Sequence, residues 1–226
     1  MNLLAVETST ELCSVALLRD GALFVEEVLA ENRHSELLVP MIRKVFERAR
    51  LDAMRMDAFA FGQGPGSFTG IRIACGIVQG LAFAARRPVV PIPSLAALAE
   101  QSNETRVLAA LDARMDEAYL AAYARNGDDW DEVITPRLVG PSSAPALPAR
   151  GWIATGNGFV RLPWLREAYR ERVEMRLDGD LPRAGAVARL AARRFVRGGG
   201  IAAELAAPLY LRDKVARTTE ERRAKR

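Results

Sequence analysis

Four glycines and a proline fall within nine residues in Gly62-Gln63-Gly64-Pro65-Gly66-Ser67-Phe68-Thr69-Gly70, which runs on into Ile71-Arg72-Ile73. A short apolar run, Ala58-Phe59-Ala60-Phe61, precedes the stretch, and a long one, Ile73 to Ala85, follows it. The order reads as strand, tight turn and helix. Such a turn demands positive φ somewhere along its path, and Ser67 or Thr69 can cap the helix that follows. Several N–H groups at a helix start can hold an anion. The spacing, however, is not that of a phosphate loop. A Walker A loop ends in Gly-Lys-Ser/Thr, and here Gly70 is followed by Ile71-Arg72. Gly62, Gly64 and Gly66 give G-x-G-x-G in place of the dinucleotide G-x-G-x-x-G. The spacing favours a strand-to-helix corner whose glycines let backbone segments approach closely.

The other candidates for chemistry are few. Glu7-Thr8-Ser9-Thr10 lies between two apolar runs near the N-terminus. His34 is the one histidine, which excludes any site built from two histidines of a single chain, including the common zinc hydrolase sets. A lone histidine can serve as a base, but its place just before a helix reads as a loop-holding residue. Asp112 and Asp116 flank Arg114 and read as a strand-end turn rather than a catalytic pair. No serine sits in a nucleophile elbow or has a recognisable triad partner. Cys13 and Cys75 stand in apolar contexts, and two cysteines give neither a metal spacing nor a disulfide framework.

The elements that must position these residues follow from periodicity. Leu3–Val6, Cys13–Leu18 and Leu23–Leu29 read as a three-stranded meander, with Asp20-Gly21 as a hairpin turn. A helix is expected over Ser35–Arg50, capped by Ser35, with Leu37, Leu38, Met41, Ile42, Val45, Phe46 and Ala49 as a wide apolar stripe. Pro40 is awkward there. Residues 58–61 form a fourth strand, Thr69–Arg86 a second helix, Val89–Ile92 a fifth strand and Ser94–Glu100 a short helix. The second helix is apolar nearly all round, and Gly76 and Gly80 share one face, where a partner backbone can come close. The pattern then restarts: strands at Arg106–Leu111, Ala118–Ala124, Glu132–Leu138, Trp152–Thr155 and Val173–Leu177, and a helix at Ala184–Arg197 ended by Gly198-Gly199-Gly200. Strands and helices in this order make a mixed-sheet α/β protein of two lobes of related design. The expected division is 1–103, 104–211 and a charged tail, 212–226.

Among 226 residues, 50% are hydrophobic, enough for a sizeable core. The apolar segment Ile73–Ala85 is shorter than the roughly 20 residues of a membrane span, and Met1–Val6 lacks the basic start of a signal peptide. The chain is therefore expected to be cytoplasmic, with no membrane contact. The net charge of +4 sits entirely in residues 212–226, which carry seven basic and three acidic residues. A solvated tail is the plain reading; the tail has no aromatics to stack on RNA bases.

The motifs taken together resemble a known family. Glu7-Thr8-Ser9-Thr10, His34-Ser35-Glu36-Leu37-Leu38-Val39-Pro40, Gly64 to Ile73, Pro93-Ser94-Leu95, Asp112 to Tyr119, Gly156-Asn157-Gly158 and Pro208-Leu209-Tyr210-Leu211-Arg212 follow, in order, the pattern of the TsaB (YeaZ) family. The resemblance spans almost the whole chain. It implies a two-lobed actin-like, Hsp70-like, sugar-kinase-like (ASKHA) ATPase fold with mixed sheets flanked by helices. It also implies a non-catalytic role in making threonylcarbamoyladenosine (t6A) beside the tRNA anticodon, through binding of the homologous catalytic subunit TsaD and, with it, the ATPase TsaE.

Two departures fit a chain without chemistry of its own. The catalytic sister carries a His-x-x-x-His metal pair after the fifth strand, where this chain has Pro93-Ser94-Leu95-Ala96-Ala97-Leu98. The kinase-like fold holds phosphate on a glycine-bearing first hairpin, but Glu7-Thr8-Ser9-Thr10 has no glycine, and Glu7 replaces the aspartate of most relatives. The residues Glu7, Thr8, Ser9 and Thr10 are thus expected to be a vestigial nucleotide site at most, and no cofactor is expected. The partner-binding residues are expected to be Leu37, Leu38, Met41, Ile42 and Val45 of the first helix, with Ile73, Gly76, Ile77 and Gly80 of the second. The same faces would make a homodimer when the partner is absent, and tRNA would join the assembled complex. The competing readings are a phosphotransferase of the sugar-kinase type using Glu7, and a peptidase.

Overall fold

The computed structural model describes residues 1–212. Strands β1 (Asn2–Glu7), β2 (Leu12–Arg19) and β3 (Ala22–Leu29) form the meander, and Asp20 and Gly21 turn the hairpin with φ of 47° and 87°. Helix α1 (His34–Ala49) leads to a short 3-10 turn and to β4 (Ala58–Gly64). Helix α2 (Phe68–Ala85), β5 (Val89–Pro93) and α3 (Ser94–Ser102) follow. The first sheet has the order β3-β2-β1-β4-β5, antiparallel through the meander and parallel from β1 to β5.

The second sheet repeats the plan. Strands β6 (Arg106–Asp112), β7 (Ala118–Asn126) and β8 (Asp129–Val139) are antiparallel, and β9 (Trp152–Thr155) and β10 (Val173–Met175) add in parallel on the other side of β6. Two short helices absent from the sequence reading, α4 (Asn157–Arg161) and α5 (Pro163–Tyr169), cross between β9 and β10. Neither is long enough to show a helical period. The last helix is α6 (Ala184–Val196).

The period of two along each strand sorts the cores. Leu4 and Val6 of β1 join Phe59 and Phe61 of β4 on the face covered by α1 and α2. Leu3 and Ala5 point the other way, to Ala184, Val187, Ala188 and Ala191 of α6. Helix α3 packs on one face of the second sheet, through Leu95, Leu98 and Ala99 against Val107, Ala109 and Tyr123. Helices α4 and α5 cover the opposite face, through Phe159, Leu162 and Leu165.

Packing and chain order divide the molecule differently. The sequence reading assigns 104–211 to one lobe, yet α6 packs on β1, β2 and β4 of the first sheet. Ile201 pairs with Val89, and the Leu209 N–H donates to the Gln63 carbonyl at 2.7 Å. The chain leaves the second sheet after β10 and returns to the first because the small side chains of α6 fit the Ala/Leu face of the meander. The expected tail lies, from Asp213 onward, outside the described residues.

Candidate functional site

The glycine-rich turn is docked on the loop between β1 and β2. The Ser67 N–H donates to the Ser9 carbonyl at 2.7 Å, and the Thr8 hydroxyl donates to the Gly70 carbonyl at 2.8 Å. A Cβ at Gly66 would lie 2.3 Å from the Ser9 oxygen, and one at Gly70 2.0 Å from the Thr8 oxygen. Backbone-to-backbone approach therefore requires glycine at both positions. Ser67 caps α2, its Oγ accepting from the Gly70 N–H at 3.3 Å. At α1 the expected Ser35 cap is not used: the helix begins one residue earlier, at His34, and Arg33 precedes it without a side-chain cap.

Glu7 is fully buried beneath this junction. Its Oε1 accepts from the Ser9 N–H at 2.6 Å and its Oε2 from the Ser94 hydroxyl at 2.8 Å. A Cβ at Gly62 would lie 1.8 Å from Oε2. Burial pushes the carboxyl above the usual range, and the hydrogen bonds from Ser9 and Ser94 oppose that rise only in part. Glu7 thus ties the end of β1 to the start of α3. In the segment Pro93 to Leu98, which carries no histidine, Ser94 makes this contact.

An open cavity of about 440 Å³ lies between the lobes. Of the four residues read as a vestigial nucleotide site, Ser9 and Thr10 line it, with His34, Thr69, Asp112 and Arg161 among the others; Glu7 and Thr8 do not. Its cations are held by the chain's own carboxylates. Arg161 reaches across the lobes to Glu11 at 2.6 Å and stands 3.5 Å from Asp112, and Arg212 pairs with Glu117. Asp112 accepts from the Arg114 N–H at 2.8 Å, while Arg114, Met115 and Asp116 all take positive φ. This is the strand-end turn expected of the two aspartates. His34 is buried at the start of α1, and its Nε2 has no hydrogen-bond partner among the described residues.

The proposed partner face separates into two sets. Leu38 and Val45 are 0% exposed, and Met41 and Ile42 are buried with them in the core under the first sheet; Leu37 packs at its edge. Four of the five α1 residues are therefore structural, because the apolar stripe of α1 is consumed by β2 and β3. Helix α2 differs. Ala74, Cys75, Val78 and Ala82 enter the core, but Gly76 and Gly80 are exposed, Ile73 and Ile77 are half-buried, and Phe83 is 74% exposed. No atom lies within 4 Å of a Cβ built on Gly76 or Gly80. Residues 73, 76, 77, 80 and 83 form one open stripe. The helix also meets the length and hydropathy of a membrane span, with a mean of 1.5 over 18 residues, contrary to the shorter segment read from sequence. Its inner face is nonetheless built into the protein core.

The C-terminal segment closes over the start of α2. Arg72 lies 3.5 Å above the Phe68 ring and 5.4 Å from the Tyr210 ring, and its Nε donates to the Tyr210 hydroxyl at 2.7 Å. Phe68, Arg72 and Tyr210 were all present in the sequence motifs, but nothing in their spacing joins residues 138 apart.

A family model described as "TsaD: tRNA N6-adenosine threonylcarbamoyltransferase" matches residues 27–160. The tRNA threonylcarbamoyladenosine biosynthesis protein TsaB of Escherichia coli (strain K12) is 36% identical, over 96% of each chain. The protein of the same name from Haemophilus influenzae is 38% identical, over 95% of each. The solved structure "YeaZ from Pseudomonas aeruginosa" is 39% identical and superposes with a TM-score of 0.82, covering 93% of this chain and 99% of its own. The two-lobed mixed α/β architecture is accordingly of the ASKHA type, and the chain belongs to the TsaB (YeaZ) family.

Proposed function

We propose that this chain is a non-catalytic scaffold subunit for t6A formation in tRNA, acting by binding the homologous catalytic subunit TsaD and, with it, the ATPase TsaE. One observation carries the reading: the open stripe Ile73, Gly76, Ile77, Gly80 and Phe83 on a helix otherwise built into the core. An apolar face notched by two glycines suits close approach of a second helix. The same face is self-complementary enough to pair with its own copy when TsaD is absent. The burial of Glu7 and the self-paired cations of the cavity support a role without phosphoryl transfer. A cytoplasmic location goes with work on tRNA.

Reconstitution tests this directly. TsaD, TsaE, the threonylcarbamoyl-adenylate synthase and tRNA are assayed for t6A with and without this chain. Modification should depend on its presence, and should fall with Gly76→Leu in a folded protein. Equal modification without the chain would defeat the scaffold reading.

A further inference from the structure

The segments that follow α2 and α6 meet at one place. Val89 and Ile201 exchange backbone hydrogen bonds at 2.8 Å each, and Gly200 packs on Pro88, where a Cβ would stand 2.9 Å from the proline Cβ. Arg194 donates from Nη1 to the Pro91 carbonyl at 3.1 Å. This junction gathers positive charge. Arg86 and Arg87 follow the last turn of α2, both are exposed, and neither guanidinium meets a carboxylate among the described residues. Arg194 is exposed with only the carbonyl contact, and Arg197 stands beside it, shared with Asp129.

The lack of compensating acid is written into the sequence. No aspartate or glutamate occurs from residue 58 to 99, or from 181 to 203. Both α2 and α6 thus arrive at the junction without a carboxylate of their own. Glu204, three residues past Ile201, is exposed, whereas Asp129 and Glu100 are tied to arginines at the end of α6. Asp129 is engaged with Arg197 and 3.6 Å from Arg193, and Glu100 is enclosed by Arg193, Arg125 and Arg189.

We infer that the exposed patch of Arg86, Arg87 and Arg194, with Arg197 beside it, is a docking surface for the phosphate backbone of tRNA. Guanidinium forks match phosphate oxygens bidentately, and spaced cations suffice to bind a nucleic-acid backbone without reading its sequence. The patch also lies just past the end of the open stripe of α2, because Arg86 and Arg87 directly follow the turn that carries Phe83. A subunit docked on that stripe would therefore lie beside the cations. The identity of the RNA rests on the family reading above; the patch rests on the placement of its residues.

The test is fluorescence anisotropy of labelled tRNA with the full chain across a salt series. The parent is compared with Arg86→Gln/Arg87→Gln/Arg194→Gln and with a control of equal charge change, Arg43→Gln/Lys44→Gln/Arg55→Gln. The patch variant should bind more weakly, with a salt slope lower by about one per lost phosphate contact, and should still co-purify with TsaD. The control should bind as the parent does. An unchanged slope in the patch variant overturns the inference, as does equal weakening in the control, which would mean diffuse charge. Loss of TsaD co-purification with unchanged tRNA binding also overturns it: the patch is then a protein contact, and the scaffold reading survives.

Discussion

The two glycines of α2 offer a test in which stability and association move in opposite directions. Gly76 and Gly80 lie inside an 18-residue helix, exposed, with open space where a Cβ would stand. For the isolated chain they are a defect, since glycine in a helix interior is less favourable than alanine by about 0.8–1.0 kcal/mol. Gly76→Ala/Gly80→Ala should therefore stabilise the monomer by about 2 kcal/mol. For a domain of this size that raises Tm by about 4–8 °C. Thermal unfolding followed by circular dichroism, at a concentration where the chain is monomeric, measures the shift. If the glycines form the notch for TsaD, the same pair should weaken co-purification, and Gly76→Leu should abolish it while the fold is kept. A stabilised variant that binds TsaD as the parent does would refute the interface assignment. The absence of any stabilisation would refute the claim that this face is free.

Gly70 predicts the opposite sign. Gly70→Ala places a methyl 2.0 Å from the Thr8 carbonyl oxygen, a backbone atom that cannot swing away, and should destabilise by about 3 kcal/mol in urea unfolding. Leu38→Glu should yield unfolded protein rather than a folded binding mutant, because Leu38 is 0% exposed; solubility and circular dichroism decide it. Glu7 holds its proton to higher pH in the folded chain than in the unfolded one, so folding stability is lost as pH rises from about 4.5 toward the folded value. Glu7→Gln should remove that loss, giving urea midpoints that fall less than the parent's between acid and neutral pH. Glu100 is the reverse case. Burial raises its carboxyl, but the hydrogen bonds from Arg193 and Trp130 and the charges of Arg193 and Arg125 outweigh this and leave it below the usual range. Its contribution is present above the unfolded pKa and fades as pH falls through the folded one. Glu100→Gln should cost about 1.5–3 kcal/mol at neutral pH, read from urea midpoints, and less in acid.

Much of the fold was legible because it is local. The short apolar runs Leu3–Val6 and Cys13–Leu18, the Asp20-Gly21 turn and the apolar period of 35–50 name strands, hairpin and helix without any long-range information. The repetition of a meander announced two related lobes. Glycine spacing in 62–70 ruled out a phosphate loop, and a single histidine ruled out a two-histidine metal site. What periodicity cannot tell is which of two apolar stripes meets the chain itself. Read from sequence, α1 has a wide apolar stripe and α2 is apolar nearly all round, but the meander lies over α1 and hides Leu38 and Val45, whereas α2 keeps Gly76, Gly80 and Phe83 in the open. Nor could sequence foresee that α6 would return to the first sheet and bring Arg194 to the Pro91 carbonyl, or that Tyr210 would stack on Arg72. Those pairings join residues far apart along the chain, and only the packed structure sets their distance.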